Sequence, residues 1–192
     1  SISFSLLETT GTVTYAFTAN NTVKNLVING SQTLSNIAIL IYGSFTHSTA
    51  NGTTTFTAGT NAWTFAATSG SYTITPIASF TYDFPWTFGS AASTATWTIA
   101  ANLTLGATRQ ISLTNGTTDF NSKTISAAGI TIVTGTPTIA NTGTASFTTT
   151  LPFTHTSGTL TLPFNITTTA ATGYTLTSGT LALGTYLSLI HI

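Results

Sequence analysis

The chain alternates polar and apolar residues in short segments, and one short pattern returns along most of its length. The pattern is a turn residue, a glycine, a hydroxyl residue, a variable position, usually a threonine, and then a large apolar residue. Its copies occupy residues 29–34, 51–56, 69–74, 115–120, 134–139, 157–162 and 178–183, with a faint copy near Gly89. Because strand side chains alternate between two faces, each copy predicts a turn followed by a strand with hydroxyls outside and an apolar residue inside.

The glycine of this pattern recurs at a nearly constant interval. From Gly30 to Gly179 the chain advances 149 residues in seven steps, a mean period of about 21 residues, which is typical of repeat architectures. One coil of this length cannot bury its own apolar face, but coils stacked at the strand spacing of about 4.8 Å bury it against each other. The sequence therefore predicts an all-β fold: a parallel β-solenoid (β-helix) of about eight coils with little or no helix.

The main alternative fold is a Thr-rich β-sandwich pilin subunit whose copies join by strand donation. A sandwich gives no reason for a glycine about every 21 residues. The period therefore favours the solenoid.

Three regions are expected along the chain. Residues 1–28 alternate and are interpreted as strands that enter the solenoid. Residues 29–186 are expected to form its coils, with an insertion or irregularity within 75–114, where the repeat is indistinct, and a fully buried strand at the apolar run 37–42. Residues 187–192 resemble the translation of an adapter used in shotgun sequencing, and are expected to be a non-native tail on an environmental fragment.

Charge is nearly absent from the chain. Only 3% of residues are charged, three basic and three acidic, and there is no cysteine. Nucleic-acid binding needs many Lys and Arg residues, so the composition argues against it and against an electrostatic membrane anchor. The longest apolar run is too short to span a bilayer, and without cysteine no disulfide or thiolate chemistry is expected.

The residues that catalysis needs are few and far apart. Glycoside cleavage usually requires two carboxylates about 5 to 9 Å apart, and the chain has only Glu8, Asp83 and Asp119. The repeat places Asp83 and Asp119 on different parts of a coil, and Asp119 is interpreted as a turn or edge residue at an outward Thr position. The three histidines have no carboxylate or cysteine beside them. We therefore expect no enzyme, no metal site and no cofactor.

An aromatic stripe between residues 79 and 88 is a candidate binding surface. Its members alternate with smaller residues and are Phe80, Tyr82, Phe84, Trp86 and Phe88. Tyr82 and Trp86 could stack on sugar rings with Asp83 as a hydrogen-bond acceptor, as in a carbohydrate-binding module. The alternative is that all five rings fill the core, because exposing them would leave a large apolar patch.

The hydroxyl residues of the repeats form a second candidate surface. We expect them to stack as a ladder on one outer face, formed by Thr33, Thr53, Thr55, Thr73, Thr136, Thr138, Thr159 and Thr161. A flat Thr-x-Thr array resembles that of ice-binding solenoids, so ice binding is a candidate function. Threonine is also a good strand residue that keeps an uncharged rod soluble, which requires no ligand.

Residues 114–126 and 176–186 resemble coils of the Thr- and Gly-rich parallel β-helix proteins of phage tail fibres and bacterial surface adhesins. The resemblance implies an extracellular setting, on a cell surface or a virion, and often a homotrimer. It differs from the enzymatic tailspikes and pectate-lyase-like members in lacking their carboxylate clusters. The expected function is a non-catalytic structural shaft or stalk that presents hydroxyls to sister subunits or surface glycans.

Overall fold

The described part of the computed structural model consists of strands and contains no helix. The structure describes residues 4–7, 13–15, 21–35, 37–142, 146–149, 151–162, 165–168, 173–182 and 189–190. In chain order the strands are Phe4–Leu7 (β1), Val13–Tyr15 (β2), Asn21–Val23 (β3), Leu26–Asn29 (β4), Gln32–Leu34 (β5), Ile39–Ile41 (β6), Phe45–Ser48 (β7), Thr55–Phe56 (β8), Trp63–Phe65 (β9), Ser71–Thr75 (β10), Thr81–Tyr82 (β11) and Trp86–Phe88 (β12). They continue as Thr96–Ile99 (β13), Leu103–Leu105 (β14), Gln110–Asp119 (β15), Ile125–Ser126 (β16), Gly129–Ala140 (β17), Ser146–Thr149 (β18), Phe153–His155 (β19), Thr159–Thr161 (β20), Asn165–Thr168 (β21), Tyr174–Leu176 (β22), Thr180–Ala182 (β23) and Leu189–Ile190 (β24).

The strands stack in parallel as a β-solenoid of about seven coils with a period of about 22 residues. Face A contains β3, β6, β9, β12, the first parts of β15 and β17, β19 and β22. Face B contains β1, β4, β7, β10, β13, the second parts of β15 and β17, β20 and β23. Face C contains β2, β5, β8, β11, β14, β16, β18, β21 and β24. The predicted parallel solenoid without helix is confirmed.

The long strands β15 and β17 each run round the corner between faces A and B. Their pairing register shifts between Leu113 and Asn115, where β15 leaves one face and enters the other. Through these strands faces A and B belong to one 15-stranded sheet, whereas face C is divided into three separate three-stranded sheets. Face C is therefore interrupted twice, between β8 and β11 and between β16 and β18.

The first strands already belong to the solenoid. β1 pairs in parallel with β4 and β2 with β5, so the strands of the predicted entering segment carry the same register as the coils that follow. At the other end β24 pairs with β21, and the remainder of segment 187–192 lies outside the described residues.

The coils differ in length because the corners between strands vary. The step from Leu26 to its partner Phe45 is short, and the next step, from Phe45 to its partner Ile74, is much longer. The step from Ser71 to Thr96, largely within the region where an insertion was expected, is intermediate between these two. The longest of the three steps, from Phe45 to Ile74, therefore ends before residue 75, where the region with the expected insertion begins. The extra residues lie in loops.

Aromatic side chains fill the core of the coils between β7 and β13. The fully buried rings are Phe45, Trp63, Phe65, Tyr82, Phe84, Trp86, Phe88 and Trp97. Most contacts are tilted or edge-on; Phe45 and Trp86 meet at 87° with centroids 5.7 Å apart, while Phe65 and Phe88 stack at 4.7 Å. Removal of one such ring typically costs about 3 to 5 kcal/mol of folding free energy.

The apolar run 37–42 forms a strand with only one buried side. Ile39 and Ile41 are buried, Leu40 is half-buried on the outside and Tyr42 is 40% exposed. The prediction of a fully buried strand is wrong, because each face of the solenoid is covered by protein on its inner side alone.

Glycines stack at the corner between faces A and B. Gly116, Gly135, Gly158 and Gly179 occupy this corner in successive coils, with φ values of 80°, 86°, 91° and 102°. A Cβ atom on Gly135 would lie 1.9 Å from the Thr114 carbonyl oxygen. The corner therefore requires glycine both for its left-handed backbone and for the close approach of the neighbouring coil.

We expect Gly135→Ala to lower the free energy of unfolding by about 2 kcal/mol or more. The new Cβ atom disfavours the positive φ at this position and would clash with the Thr114 carbonyl oxygen,. Gly129→Ala in the same strand is the matched control, since Gly129 has no positive φ and its Cβ would lie 3.0 Å from the nearest atom. Urea unfolding monitored by circular dichroism measures both variants. Equal losses in the two variants would contradict the requirement at the corner.

Candidate functional site

The outer surface of face A carries a single column of hydroxyl groups. In strands β6, β9, β12 and β19 the two end residues are buried and the middle residue is half-buried on the outside. Strand β22 continues the same register, although its last residue, Leu176, is 47% exposed. These middle residues are partners in successive coils, in the order Thr64, Thr87, Ser112, Thr131, Thr154 and Thr175. At a strand spacing of about 4.8 Å the column is about 24 Å long. Leu40 occupies the next position below Thr64.

Face B carries a wider hydroxyl array with gaps. One column contains Ser71, Thr96, Thr117, Thr138 and Thr161, and ends at Ala182. The column on one side of it contains Asn115, Thr136, Thr159 and Thr180; on the other side lie Thr73, Thr98, Asp119 and Ala140. Face B therefore presents hydroxyls in two dimensions, whereas face A presents them in one line.

The predicted hydroxyl ladder is divided between faces B and C. Its members on face B are Thr73, Thr136, Thr138, Thr159 and Thr161. Thr33 and Thr55 are partners on face C, and Thr53 is exposed in the turn before β8. The prediction of one common face is wrong for Thr33, Thr53 and Thr55.

This division arises because the glycine pattern changes corner along the chain. Gly30 and Gly52 follow strands of face B, so the hydroxyls after them enter face C. Gly70 and the later glycines follow strands of face A, so the hydroxyls after them enter face B. The sequence pattern marks a corner but not which of the corners it is.

The face A column was not predicted from the sequence, although a signal for it is present. Each of the strands that carry this column contains an apolar residue at an inward position, a middle residue that faces outward, and a second residue at an inward position. The copies are the segments 63–65, 86–88, 111–113, 130–132, 153–155 and 174–176, with Thr or Ser in the middle. A search for this tripeptide, independent of glycine, would have found the column.

The aromatic stripe lies in the core and not on the surface. Tyr82 in β11 and Trp86 in β12 are both 0% exposed. The alternation of the stripe continues round the corner between faces C and A, so both rings point inward. Pro85 lies at this corner, where its carbonyl accepts a hydrogen bond from Trp63 N at 3.0 Å. The prediction that Tyr82 and Trp86 stack on glycans is wrong, because neither ring has a face open to a sugar.

Asp83 links two coils at the same corner. Its Oδ1 lies 2.7 Å from Arg109 Nε, and its carbonyl oxygen lies 3.2 Å from the same nitrogen. The two side chains are 43% and 18% exposed, respectively, so the pair contributes at most about 1 kcal/mol to stability. The Asp83 carboxylate, which the sequence suggested as a hydrogen-bond acceptor for a glycan, is therefore paired with Arg109.

Asp119 caps the corner between faces B and C. Its Oδ1 accepts hydrogen bonds from Asn121 N at 2.8 Å and Thr142 N at 2.9 Å, and its Oδ2 binds the Thr142 hydroxyl. Pairing with Thr98 places Asp119 in register with outward threonines and gives it the expected turn role, but the residue is 6% exposed, so it does not occupy an open outward position. Glu8 lies outside the described residues. Within the described ranges, no three potential metal-ligating side chains come together.

Asparagine side chains hold successive coils together at the corners. The Oδ1 atoms of Asn25, Asn29, Asn102 and Asn115 accept backbone N–H groups of the next coil at 2.8 to 3.1 Å. Asn115 also donates from Nδ2 to the Ser90 carbonyl. From the sequence Asn29 and Asn115 were interpreted only as turn residues of the repeated pattern, so the role of these asparagine side chains between coils was missed.

Two histidines lie in the core, each beside a tyrosine hydroxyl. His47 Nδ1 is 2.8 Å from Tyr82 Oη, which also accepts the Ile77 N–H at 3.0 Å. His155 Nδ1 is 2.6 Å from Tyr174 Oη, and its Nε2 is 3.3 Å from the Gly158 carbonyl. The two pairs differ at Nε2: in His47 this buried nitrogen has no hydrogen-bond partner in the described structure.

Burial controls the ionisation of these groups. It lowers the pKa of His47 to about 4 and raises the pKa of Tyr174 to about 12. The pKa of Tyr82 is also raised by burial, an effect that the Ile77 hydrogen bond partly offsets. Tyr82 Oη accepts from Ile77, which leaves the Tyr82 proton to be donated to His47 Nδ1; in that arrangement His47 is neutral and carries its hydrogen on Nε2,.

Comparison with known proteins identifies no relative of this chain. No family model matches it, and neither does any curated protein or solved structure. In the described part of the chain no helix is both long and apolar enough to cross a membrane. A functional proposal therefore depends on the geometry of the solenoid and its surfaces.

We expect Asn115→Ala to destabilise the fold by about 1 kcal/mol, since the Thr136 N–H loses its partner in the adjacent coil. Hydrogen exchange at the Thr136 amide should become faster than at the amides of neighbouring β20. Asn51→Ala is the control, because Asn51 bonds to the adjacent coil through its backbone N–H, which alanine retains. A larger loss in Asn51→Ala than in Asn115→Ala would argue against the role of the Asn115 side chain.

Proposed function

We propose that the protein is a non-catalytic structural shaft or stalk, of the kind found in phage tail fibres and surface adhesins, and that it acts outside the cell or on a virion. One observation carries the proposal: faces A and B form a single 15-stranded sheet around one continuous core. Backbone hydrogen bonds in such a sheet lie along the solenoid axis and connect each coil to the next. That arrangement makes a stiff spacer.

The surface supports lateral assembly of such shafts. Six charged residues in 192 leave hydroxyls and small side chains as the dominant outer groups. One face is about 10 Å wide and 34 Å long at strand dimensions, or about 340 Å², well under the roughly 800 Å² per partner of a stable interface. A homotrimer in which each subunit contributes two faces comes close to that area, so we propose a trimer of parallel subunits.

A distance measurement tests whether the solenoid acts as a rigid spacer. The chain has no cysteine, so spin labels can be placed uniquely with Thr22→Cys and Thr154→Cys, both on the outside of face A. Their positions are six coils apart in the registered column. We expect a narrow distance distribution between the labels centred near about 29 Å, measured by pulsed electron paramagnetic resonance.

Removal of one coil should shorten this distance by one strand spacing. Ile111 and Ile130 are partners in adjacent coils, so deletion of residues 111–129 joins Gln110 to Ile130 in register. The expected distance is then about 24 Å, still narrow. Deletion of residues 111–119 removes only part of a coil and is the control that should broaden the distribution. A broad distribution in the parent chain, or no shortening after removal of the coil, would refute the spacer.

Binding to ice is a second candidate function, favoured by the column on face A. Six hydroxyls in successive coils, held at one strand spacing on an uncharged face, can hold water in a regular row,. The column is unbroken over six coils, from Thr64 to Thr175, whereas the longest column on face B contains five hydroxyls, from Ser71 to Thr161.

The ice candidate predicts measurable thermal hysteresis and inhibition of ice recrystallisation by the purified chain. Thr87→Lys should abolish both effects, because a long charged side chain interrupts the middle of the column. Thr98→Lys places the same change on face B and should leave both effects intact. Absence of hysteresis in the unsubstituted chain would remove this candidate without affecting the shaft.

A further inference from the structure

Face C is interrupted beside the most aromatic part of the core. β8 ends at Phe56 and β11 begins at Thr81, and these strands belong to different sheets. Phe56 and Phe80, next to the two strand ends, are only partly buried and contact each other with centroids 5.4 Å apart. This interruption is therefore closed by ring packing and by one backbone hydrogen bond beyond the strand ends, from Gly59 N to the Asp83 carbonyl at 2.9 Å, without a strand-to-strand ladder between β8 and β11.

His47 lies directly beneath this interruption. Its ring meets Phe80 at 5.0 Å and Phe56 at 5.5 Å, both nearly perpendicular, and Tyr82 at 5.8 Å. The side chain is 3% exposed. Opening the contact between Phe56 and Phe80 would bring water to His47 without breaking a ladder between those two strands.

The groups around His47 offer no negative charge. Phe45 packs against it within β7, Phe56 from β8, and Phe80 and Tyr82 from the segment that enters β11. Tyr82 is the titratable group among these contacts and is a neutral phenol. Asp83 follows it, but its carboxylate is bonded to Arg109.

We propose that His47 and the interruption between β8 and β11 form an acid-sensitive hinge in the solenoid, which opens when His47 is protonated while the coils from β15 onward stay closed. Protonation turns Nδ1 into a donor, so Tyr82 can no longer donate to it, and Nε2–H still has no acceptor in the described structure. A charged imidazolium surrounded by aromatic rings is therefore poorly solvated until water enters. The hinge goes beyond the shaft function and depends on the fold alone.

The direction of the pH effect follows from linkage. The pKa of His47 is lowered to about 4 in the closed state, against about 6.5 in an opened, solvated state. The open state therefore binds the proton more tightly, so closure is complete above pH 6.5 and weakens as the pH falls towards 4. From pH 6.5 to pH 4 the opening equilibrium constant should rise about 80-fold.

His155 provides a matched comparison within the same chain. It is 0% exposed and also lies beside a tyrosine hydroxyl, but its Nε2 has the Gly158 carbonyl as a partner. It lies in face A, within the 15-stranded sheet. Protonation of His155 is therefore not expected to open the interruption in face C.

Hydrogen–deuterium exchange of the full chain between pH 7.5 and 4.5, corrected for the intrinsic pH dependence of exchange, tests the hinge. We expect the peptide that contains Ile77 and Tyr82 to lose at least about tenfold protection as the pH falls, while peptides of β15 and β17 keep theirs. His47→Phe should remove this pH dependence, and His155→Phe should retain it.

Constant protection of the Ile77 peptide down to pH 4.5, or the same loss in His47→Phe as in the parent chain, would overturn the hinge. If His47→Phe does not fold, the imidazole NMR titration of His47 in the unsubstituted chain decides instead. The hinge requires that His47 titrates together with the loss of protection. Titration near pH 6.5 with full protection retained would overturn it.

Discussion

Every feature of this protein depends on the parallel register between successive coils. A residue on one strand lies over its partner about 22 residues later, and the pairs keep their inward or outward orientation from coil to coil on faces A and B. This register produces the aromatic core, because Trp63 lies under Trp86 and Phe65 under Phe88. The same register produces the hydroxyl column outside, because the middle residues of those strands are also partners.

The corners maintain the register although the coils differ in length. Glycines with positive φ allow the backbone to bend at the corner between faces A and B, and asparagine side chains bond to the adjacent coil. Extra residues are placed in loops, so the short step from Leu26 to Phe45 and the long step from Phe45 to Ile74 both end on aligned strands. Face C has the least continuous pairing between coils, since its ladder is interrupted where the ladders of faces A and B continue.

The solenoid was predictable from the sequence because the glycine period is a direct consequence of coil length. The surface was less predictable. Gly30 and Gly70 have the same local pattern but lie at different corners, and only long-range pairing distinguishes them, so the predicted ladder mixed Thr33 and Thr55 with residues of face B. For the aromatic stripe, alternation was correctly identified, but a sequence does not show that a corner follows Tyr82, and both Tyr82 and Trp86 point inward. The partnership of His47 with Tyr82, far apart in the chain, gave no local signal.

The most direct test of the central claim is disulfide formation between designed cysteines in this cysteine-free chain. Thr87 and Ser112 are registered neighbours on the outside of face A, at about 4.8 Å, which is within disulfide range. The account predicts rapid oxidation of the pair Thr87→Cys and Ser112→Cys, and none within one molecule for Thr87→Cys with Thr131→Cys, two coils apart. Failure of the first pair to oxidise in a folded chain, or equal oxidation of both pairs, would contradict the parallel register and with it the solenoid.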